Sequence, residues 1–299
     1  MHDGTDLLVT GASGHLGSYL VREAVAQGLA VAAWSGVSRG HRFGVPLIPV
    51  DLVDQDQVTH AFRVCKPAFI IHAAALASVA ACRSNPAQVE RINVQATRRL
   101  AELAAESNAR LVFVSTDLVF DGATGNYGEN DSPNALSIYG RSKAEAEGYV
   151  LEACGQVVAR LSLLYGPCLA GRPHFFDEQI ASFRSGKPVL LFKDEWRTPL
   201  SFLTAAQALL DLARADLAGI VHVAGQERLS RLEMGRRLAK YLGIENARII
   251  EASRDSMRDQ EPRPRDTSLD CSRWRSLRPN LPRPTFEQAL AEMHTGKMG

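Results

Sequence analysis

Thr10-Gly11-Ala12-Ser13-Gly14-His15-Leu16-Gly17 directly follows the apolar stretch Leu7-Leu8-Val9 and leads into a helical pattern. Glycines at this spacing have separate mechanical jobs. Gly11 permits the tight turn out of a strand, Gly14 lets the backbone approach a pyrophosphate, and Gly17 lets the following helix pack closely on the sheet. The free N–H groups at the helix start then point at phosphate. Leu16, Leu20 and Ala24 recur every four residues and make one helical face apolar, while Gly28 is placed to end the helix. A Gly-x-x-Gly-x-x-Gly run also describes an ordinary glycine-rich turn; the strand before it and the helix after it separate the two readings. The stretch predicts the opening of a dinucleotide-binding domain. Gly11, Ser13, Gly14, His15, Leu16 and Gly17 are its cofactor contacts, with His15 acting through its backbone more than its ring.

Short apolar runs with β-branched residues recur at 7–10, 30–34, 47–50, 68–72, 110–115, 157–161 and 220–223, alternating with helical patterns in the first half. That alternation predicts an α/β fold, a doubly wound parallel sheet with helices on both faces. Asn85-Pro86 reads as an N-cap followed by proline at the first helical position, and Val89, Ile92, Ala96, Leu100 and Leu103 extend it into one long crossover helix. After Tyr165-Gly166-Pro167 the alternation fails. The expected organisation is a Rossmann domain over 1–165 with a return segment near 200–225, and a smaller C-terminal substrate lobe built from 166–199 and 226–299. The Arg- and Pro-rich tail from Gln260 to Pro284 reads as an extended segment lying across a surface.

Composition narrows the function classes. Among 299 residues, 34 Lys and Arg face 33 Asp and Glu, a formal charge of +1 that supplies no electrostatic reason for nucleic-acid or membrane binding. The basic cluster Arg254 to Arg265 is spaced by acids and reads as a solvated or substrate-facing segment. No apolar run approaches the ~20 residues that span a bilayer, and no signal-peptide pattern is present. Cys65, Cys82, Cys154, Cys168 and Cys271 are odd in number, scattered and never paired as Cys-x-x-Cys. They read as reduced thiols of a cytoplasmic protein, with neither disulfides nor a metal site.

Tyr139-Gly140-Arg141-Ser142-Lys143 sets a phenol and an ammonium on the same face of one helical turn. Such a pair is common surface decoration on its own. It gains force from Ser115-Thr116-Asp117, which follows the strand Leu111 to Val114 at the end where a parallel sheet delivers side chains to its ligand crevice. Thr116 can hydrogen-bond a carbonyl while Tyr139 donates a proton to it. A tyrosine near its reference pKa of ~10 is a sluggish acid-base group at neutral pH, so the Lys143 ammonium and a bound nicotinamide cation are expected to lower it.

With the nucleotide loop, Thr116 and Tyr-x-x-x-Lys in this order, nearly the whole chain resembles the extended short-chain dehydrogenase/reductase family. Within it, the chain is similar to the dTDP-4-dehydrorhamnose reductase group. The residues carrying this are Ser115 to Gly122, Tyr139 to Lys143, Arg160 to Gly166, Trp196-Arg197-Thr198-Pro199, and Arg263-Pro264 with Leu269-Asp270. The same group includes the regulatory β subunit of methionine adenosyltransferase, whose Arg-Pro-Arg and Leu-Asp-Cys-Ser elements resemble Arg263 to Arg265 and Leu269 to Ser272. The resemblance implies Thr116, Tyr139 and Lys143 as the catalytic triad, with Lys143 also holding the nicotinamide ribose. It implies Asp51 and Leu52 as adenine contacts and Ala73, Ala74 and Ala75 as the floor under the cofactor, although such alanines also serve plain core packing. His72 reads as a core or supporting histidine.

An acid at the end of the second strand would hold the 2′-hydroxyl of NAD, but this chain reads Trp34-Ser35-Gly36-Val37-Ser38-Arg39 with Arg42 close behind. Ser35 with Arg39 favours NADP(H) over NAD(H), against the reading that the arginines belong to an exposed loop. Ser78, Asp117, Leu118, Leu163, Arg197 and Arg263 are the expected substrate contacts; for Arg197 and Arg263 the competing reading is a set of inter-lobe salt bridges.

The chain departs from the reductase group where Leu118 stands for Tyr, Leu163 for Trp, and Ala80-Ala81 for a stretch with Asp. Two lost aromatics remove stacking surfaces for a sugar or base. Leu118 also occupies the Glu position of the family's dehydratases, so dehydration is not expected. The leading expectation is an NADPH-dependent reductase of a ketone, a 4-keto and nucleotide-linked sugar by resemblance. The alternatives are a cofactor-binding regulatory subunit that docks on a partner enzyme and, third, a sugar-nucleotide epimerase. A homodimer stays open.

Overall fold

The computed structural model describes residues 5–257 and 263–294. Its main sheet has eight strands in the order Gly219–Val223, Val157–Leu161, Arg110–Thr116, Phe69–His72, Leu7–Thr10, Val31–Ser35, Val45–Pro49, His41–Arg42. Neighbours are parallel throughout except the short edge strand His41–Arg42, which turns back antiparallel on Val45–Pro49. Leu7, Leu8 and Val9 are almost fully buried, as a strand covered by helices on both faces requires. The chain steps from Leu7–Thr10 outward through Val31–Ser35, then crosses back to Phe69–His72 on the other side. That reversal opens a ligand crevice beyond the carboxyl ends of these strands.

Local signals explain the flanking elements. The helix His15–Ala26 buries Gly17, Leu20 and Ala24, and its exit runs through Gly28 at a φ of +75°. Asn85 caps the crossover by accepting from the Gln88 N–H at 3.2 Å. The crossover is not one long α-helix, however. Pro86–Val89 passes into a π-helical turn, Glu90–Gln95, before α-helix resumes at Ala96–Ser107. A π turn widens the helix by one residue per turn and is often found at functional sites; here Asn93 within it is only 1% exposed.

Two apolar cores line the sheet faces, one around Tyr19, Leu209 and Trp274, the other around Trp34, Phe62, Leu100 and Phe113. A third, around Phe176, Phe183, Leu191, Leu238 and Phe286, lies beside the strands Val189–Phe192 and Ile249–Ala252. Gly219–Val223 pairs in parallel with Val157–Leu161.

The middle of the tail is buried and does not lie across a surface as its composition suggested, whereas 263–265 and 275–284 stay exposed or half-buried. Asp266, Thr267, Ser268, Leu269 and Cys271 are buried, and the Tyr127 and Asp270 backbones join at 2.8 Å. Leu269, Cys271 and Trp274 bury their apolar surface in the same core as Leu7 and Val9, so this part of 226–299 packs with the large sheet. A short helix, Ser272–Leu277, also interrupts the extended run. Gln260 and Glu261, part of the same tail and basic cluster, lie outside the described residues.

Candidate active site

The glycine loop is built by close approach. Gly11 has a φ of +70°, and a Cβ there would lie 2.8 Å from Ala74 backbone. A Cβ on Gly17 would run into the Gly11 carbonyl, which is why the helix can sit so near the strand. Above this turn opens a cleft of about 280 Å³ that brings together Gly11, Ser13, Gly14, Ser35, Asp51, Leu52, Ala73, Ala74 and Ala75. Leu16 and Gly17 support the cleft from the helix without lining it. The His15 ring turns toward the smaller lobe, edge-on to His174 with centroids 4.5 Å apart.

Beneath the loop, His72 bridges Thr10 Oγ1 at 2.7 Å and Thr97 Oγ1 at 2.9 Å. Burial, then the charge of Lys143, pushes its pKa down to about 3, so it is a neutral core histidine. Thr10 also accepts from the Ala74 N–H at 3.2 Å, which fixes the alanine turn under the cleft.

Arg39 and Arg42 do not line this cleft. Arg39 is exposed, and Arg42 spends a guanidinium N–H on the Ala170 carbonyl at 3.0 Å. Their places beyond the second strand are carried off by the hairpin His41–Arg42/Val45–Pro49. The arginine that does line it is Arg172, delivered by the smaller lobe, which local sequence reasoning had no means to place.

The alanine turn continues into the floor of a second cleft of about 1050 Å³. Ala77, Val79, Ala80 and Arg83 form one wall, Leu163, Leu164, Arg263 and Pro264 the other, with Thr116, Asp117, Leu118, Tyr139 and Arg197 at its base. Ser78 is not part of it: its hydroxyl accepts from the Ala81 N–H at 3.3 Å and caps the helix Val79–Ser84. Arg83 is the charged group that this short helix contributes instead.

Ser137 caps the helix Ile138–Glu152 and thereby sets Tyr139 in its first turn. Gly140 permits this approach, since a Cβ there would strike the Leu118 carbonyl. Lys143 follows one turn deeper, 2% exposed, with Nζ 3.8 Å from the Phe113 ring centroid. Burial pushes its pKa down to about 7, and Glu147, the next turn on, opposes that shift. Glu147 is itself held by Arg160 at 2.7 Å and by Ser115 Oγ.

The expected lowering of the Tyr139 pKa is not what the structure holds. Burial raises it well above the usual phenol value, the Asp117 charge raises it further, and a Thr116 hydrogen bond opposes them. Tyr139 is therefore fully protonated at neutral pH. Thr116 Oγ1 also reaches Asp117 Oδ1 at 3.2 Å and accepts from the Leu118 N–H at 3.2 Å, which fixes the turn after its strand.

Asp117 is 3% exposed and receives Ser162 Oγ and Thr267 Oγ1, each at 3.0 Å, on Oδ2. Arg197 Nε lies 3.5 Å from the same oxygen, and its Nη2 lies 3.4 Å from Glu195. Arg263 Nη1 lies 3.4 Å from the other oxygen of Glu195. Both arginines thus line the cleft; Arg197 also makes the expected inter-lobe ion pair, with Asp117, whereas the pair of Arg263 with Glu195 stays within the expected smaller lobe. Burial raises the Asp117 pKa, with Arg197 the strongest opposing influence.

Sequence reasoning missed Asn93. From the π turn its side chain accepts from the Leu76 N–H at 2.8 Å, donates to the Leu76 carbonyl at 3.1 Å, and donates to Ser142 Oγ at 3.0 Å. It ties Leu76, in the lining of the smaller cleft, to the residue beside Lys143. A buried amide in an otherwise apolar helical stripe was the available signal. Among the described residues no group of His, Cys, Asp or Glu could hold a metal ion, and no helix is long and apolar enough to cross a membrane.

Residues 5–297 match the model of the RmlD substrate binding domain family. The chain is 33% identical to the probable low-salt glycan biosynthesis reductase Agl14 of Haloferax volcanii, over 95% of this chain and 96% of that protein. It is 31% identical to methionine adenosyltransferase 2 subunit beta of Bos taurus, over 91% and 82% of the two chains. Among solved structures, it resembles a hypothetical dTDP-4-dehydrorhamnose reductase from Sulfolobus tokodaii with a TM-score of 0.80 and 31% identity, covering 91% of this chain and 94% of that one. The chain belongs to the RmlD substrate binding domain family and is an extended short-chain dehydrogenase/reductase of Rossmann-like α/β fold.

Proposed function

We propose that the protein is an NADPH-dependent reductase of a ketone, and that its substrate is a 4-keto sugar carried on a nucleotide. The observation that carries this reading is the adjacency of the two clefts: Tyr139 and Thr116 line the larger one together with Ala77, the residue that directly follows Leu76 in the lining of the nucleotide cleft. The glycine loop fits a dinucleotide, because its backbone leaves no room for side chains at Gly11 and Gly17 while Ser13 and Asp51 stay open to the cleft; Ser35 lines it but is buried, its hydroxyl donating to the Ser38 carbonyl at 2.6 Å.

A reduced nicotinamide dinucleotide bound there supplies the hydride. Thr116 and Tyr139 position the carbonyl oxygen, and the protonated phenol of Tyr139 transfers its proton to that oxygen as negative charge develops on it. Ketone plus hydride plus proton balances to the alcohol. Lys143, where charged, stabilises the phenolate left behind. Arg83, Arg197 and Arg263 line the larger cleft beside Asp117 and Glu195, one more positive than negative side chain to meet a diphosphate-linked sugar, and Leu118 and Leu163 give it apolar rather than stacking walls.

The relatedness to a methionine adenosyltransferase β subunit supports a second reading, a cofactor-binding regulatory subunit. NADPH consumption against a panel of 4-keto nucleotide sugars and simple ketones tests both. Stoichiometric oxidation supports the reductase. No oxidation with any ketone, but an altered partner activity on adding the protein, supports the regulatory subunit.

A further inference from the structure

The segment between the strand Leu164–Tyr165 and the helix Phe175–Arg184 crosses from the smaller lobe to the rim of the nucleotide cleft. It is fastened to the large domain at separate points. Tyr19 Oη donates to the Pro167 carbonyl at 2.7 Å, and Arg42 Nη2 donates to the Ala170 carbonyl at 3.0 Å. At its far end His174 packs on His15 and lies 5.3 Å from the Phe202 ring centroid. Its own helix holds it too, with the Cys168 N–H donating to Asp177 at 3.0 Å.

Between these fastenings Gly171 takes a φ of +79°, a turn that L side chains resist. The next residue, Arg172, is thereby carried to the cleft lined by Gly11, Ser13, Gly14 and Ser35. Arg172 is exposed, and its charge is near enough to the glycine loop to join burial and His174 in lowering the His15 pKa. A cation on an anchored strap, facing a loop of backbone N–H groups, is an anion clamp.

We infer that Arg172 binds a phosphate of the dinucleotide and is the cationic contact that Arg39 and Arg42 do not provide. This rests on the cofactor reading above. Arg42 acts one step removed, by holding Ala170 and so the turn that aims Arg172.

Calorimetric titration of NADPH and NADH into the wild-type protein and Arg172→Ala tests the assignment without any turnover. A charge-assisted contact of this kind corresponds to a loss of roughly 10- to 100-fold in NADPH affinity. Loss for NADPH alone places Arg172 on the 2′-phosphate, and equal loss for both cofactors places it on the pyrophosphate; either supports the clamp. Arg172→Lys, which keeps the charge, recovers part of the affinity. Wild-type binding with Arg172→Ala unchanged within twofold overturns the clamp alone. Wild-type protein that binds neither dinucleotide overturns the cofactor reading and the clamp with it. Because Arg172 is exposed, the variant folds, and a circular dichroism melt confirms this.

Discussion

Asp117 and Arg197 form a buried ion pair, Oδ2 to Nε at 3.5 Å, between the crevice end of one sheet strand and the Trp-Arg-Thr-Pro element. Both side chains are almost wholly enclosed, so neither charge has water to fall back on. Asp117 also accepts the Ser162 and Thr267 hydroxyls, which makes it the hub joining three separate segments.

Asp117→Ala leaves Arg197 with Glu195 at 3.4 Å and the Trp196 carbonyl at 2.8 Å but takes the acceptor from the buried Ser162 and Thr267 hydroxyls, a cost of about 1–3 kcal/mol. Urea unfolding at neutral pH is expected to show a loss of that size. Asp117→Asn, which keeps hydrogen-bonding capacity toward Ser162 and Thr267, should lose less. Equal stability of wild type and Asp117→Ala would remove the hub role.

Tyr139→Phe deletes the phenol that donates the proton in the proposed mechanism and keeps the ring. Ketone reduction should fall by ~10²–10⁴-fold, the usual contribution of general acid catalysis, with NADPH affinity within a few-fold of wild type. Steady-state kinetics and calorimetry check the two halves separately. A loss under tenfold would mean that another group supplies the proton.

Lys143 titrates near neutrality because burial outweighs the help of Glu147, with a pKa of about 7. On the proposed mechanism, loss of its proton removes the charge that stabilises the Tyr139 phenolate, so kcat/KM for reduction should decline on the alkaline side from about that pH. Glu147→Gln withdraws the opposing negative charge and should move this limb to lower pH. The variant is to be compared only after its fold is verified, since Arg160 also depends on Glu147 at 2.7 Å. A limb that does not move would separate Lys143 from the pH dependence.

His72 sets a stability window in acid. Its folded pKa, about 3, lies below the unfolded value of 6.5, so its contribution is fully present above pH 6.5 and is lost as pH falls toward 3. Within that window each pH unit costs about 1.4 kcal/mol. Between pH 6.5 and 5 the wild type should therefore lose about 2 kcal/mol that His72→Gln does not lose. Denaturant titrations of both proteins at the two pH values measure the difference, and parallel losses would contradict the assignment.

The crossover shows how local and distant information part. Asn85-Pro86 and the apolar spacing after it marked the helix start, yet no local rule announced the π turn, because Asn93 is drawn inward by Leu76 and Ser142. Similarly, Ser35, Arg39 and Arg42 lie together in sequence, but the edge hairpin parts the arginines from the cleft.

The sequence by itself determined what is encoded over one or two turns of chain. The glycine loop, the alternation of strands and helices, and the Tyr139/Lys143 face follow from short-range periods and the shape of glycine. Only the tertiary structure decided the pairing of Asp117 with Arg197, the delivery of Arg172, the raised Tyr139 pKa and the burial of Leu269, Cys271 and Trp274. Each of these arises between segments far apart in the chain. They depend on which charges share a solvent-free space and which apolar surfaces remain to be covered, and no local spacing specifies either.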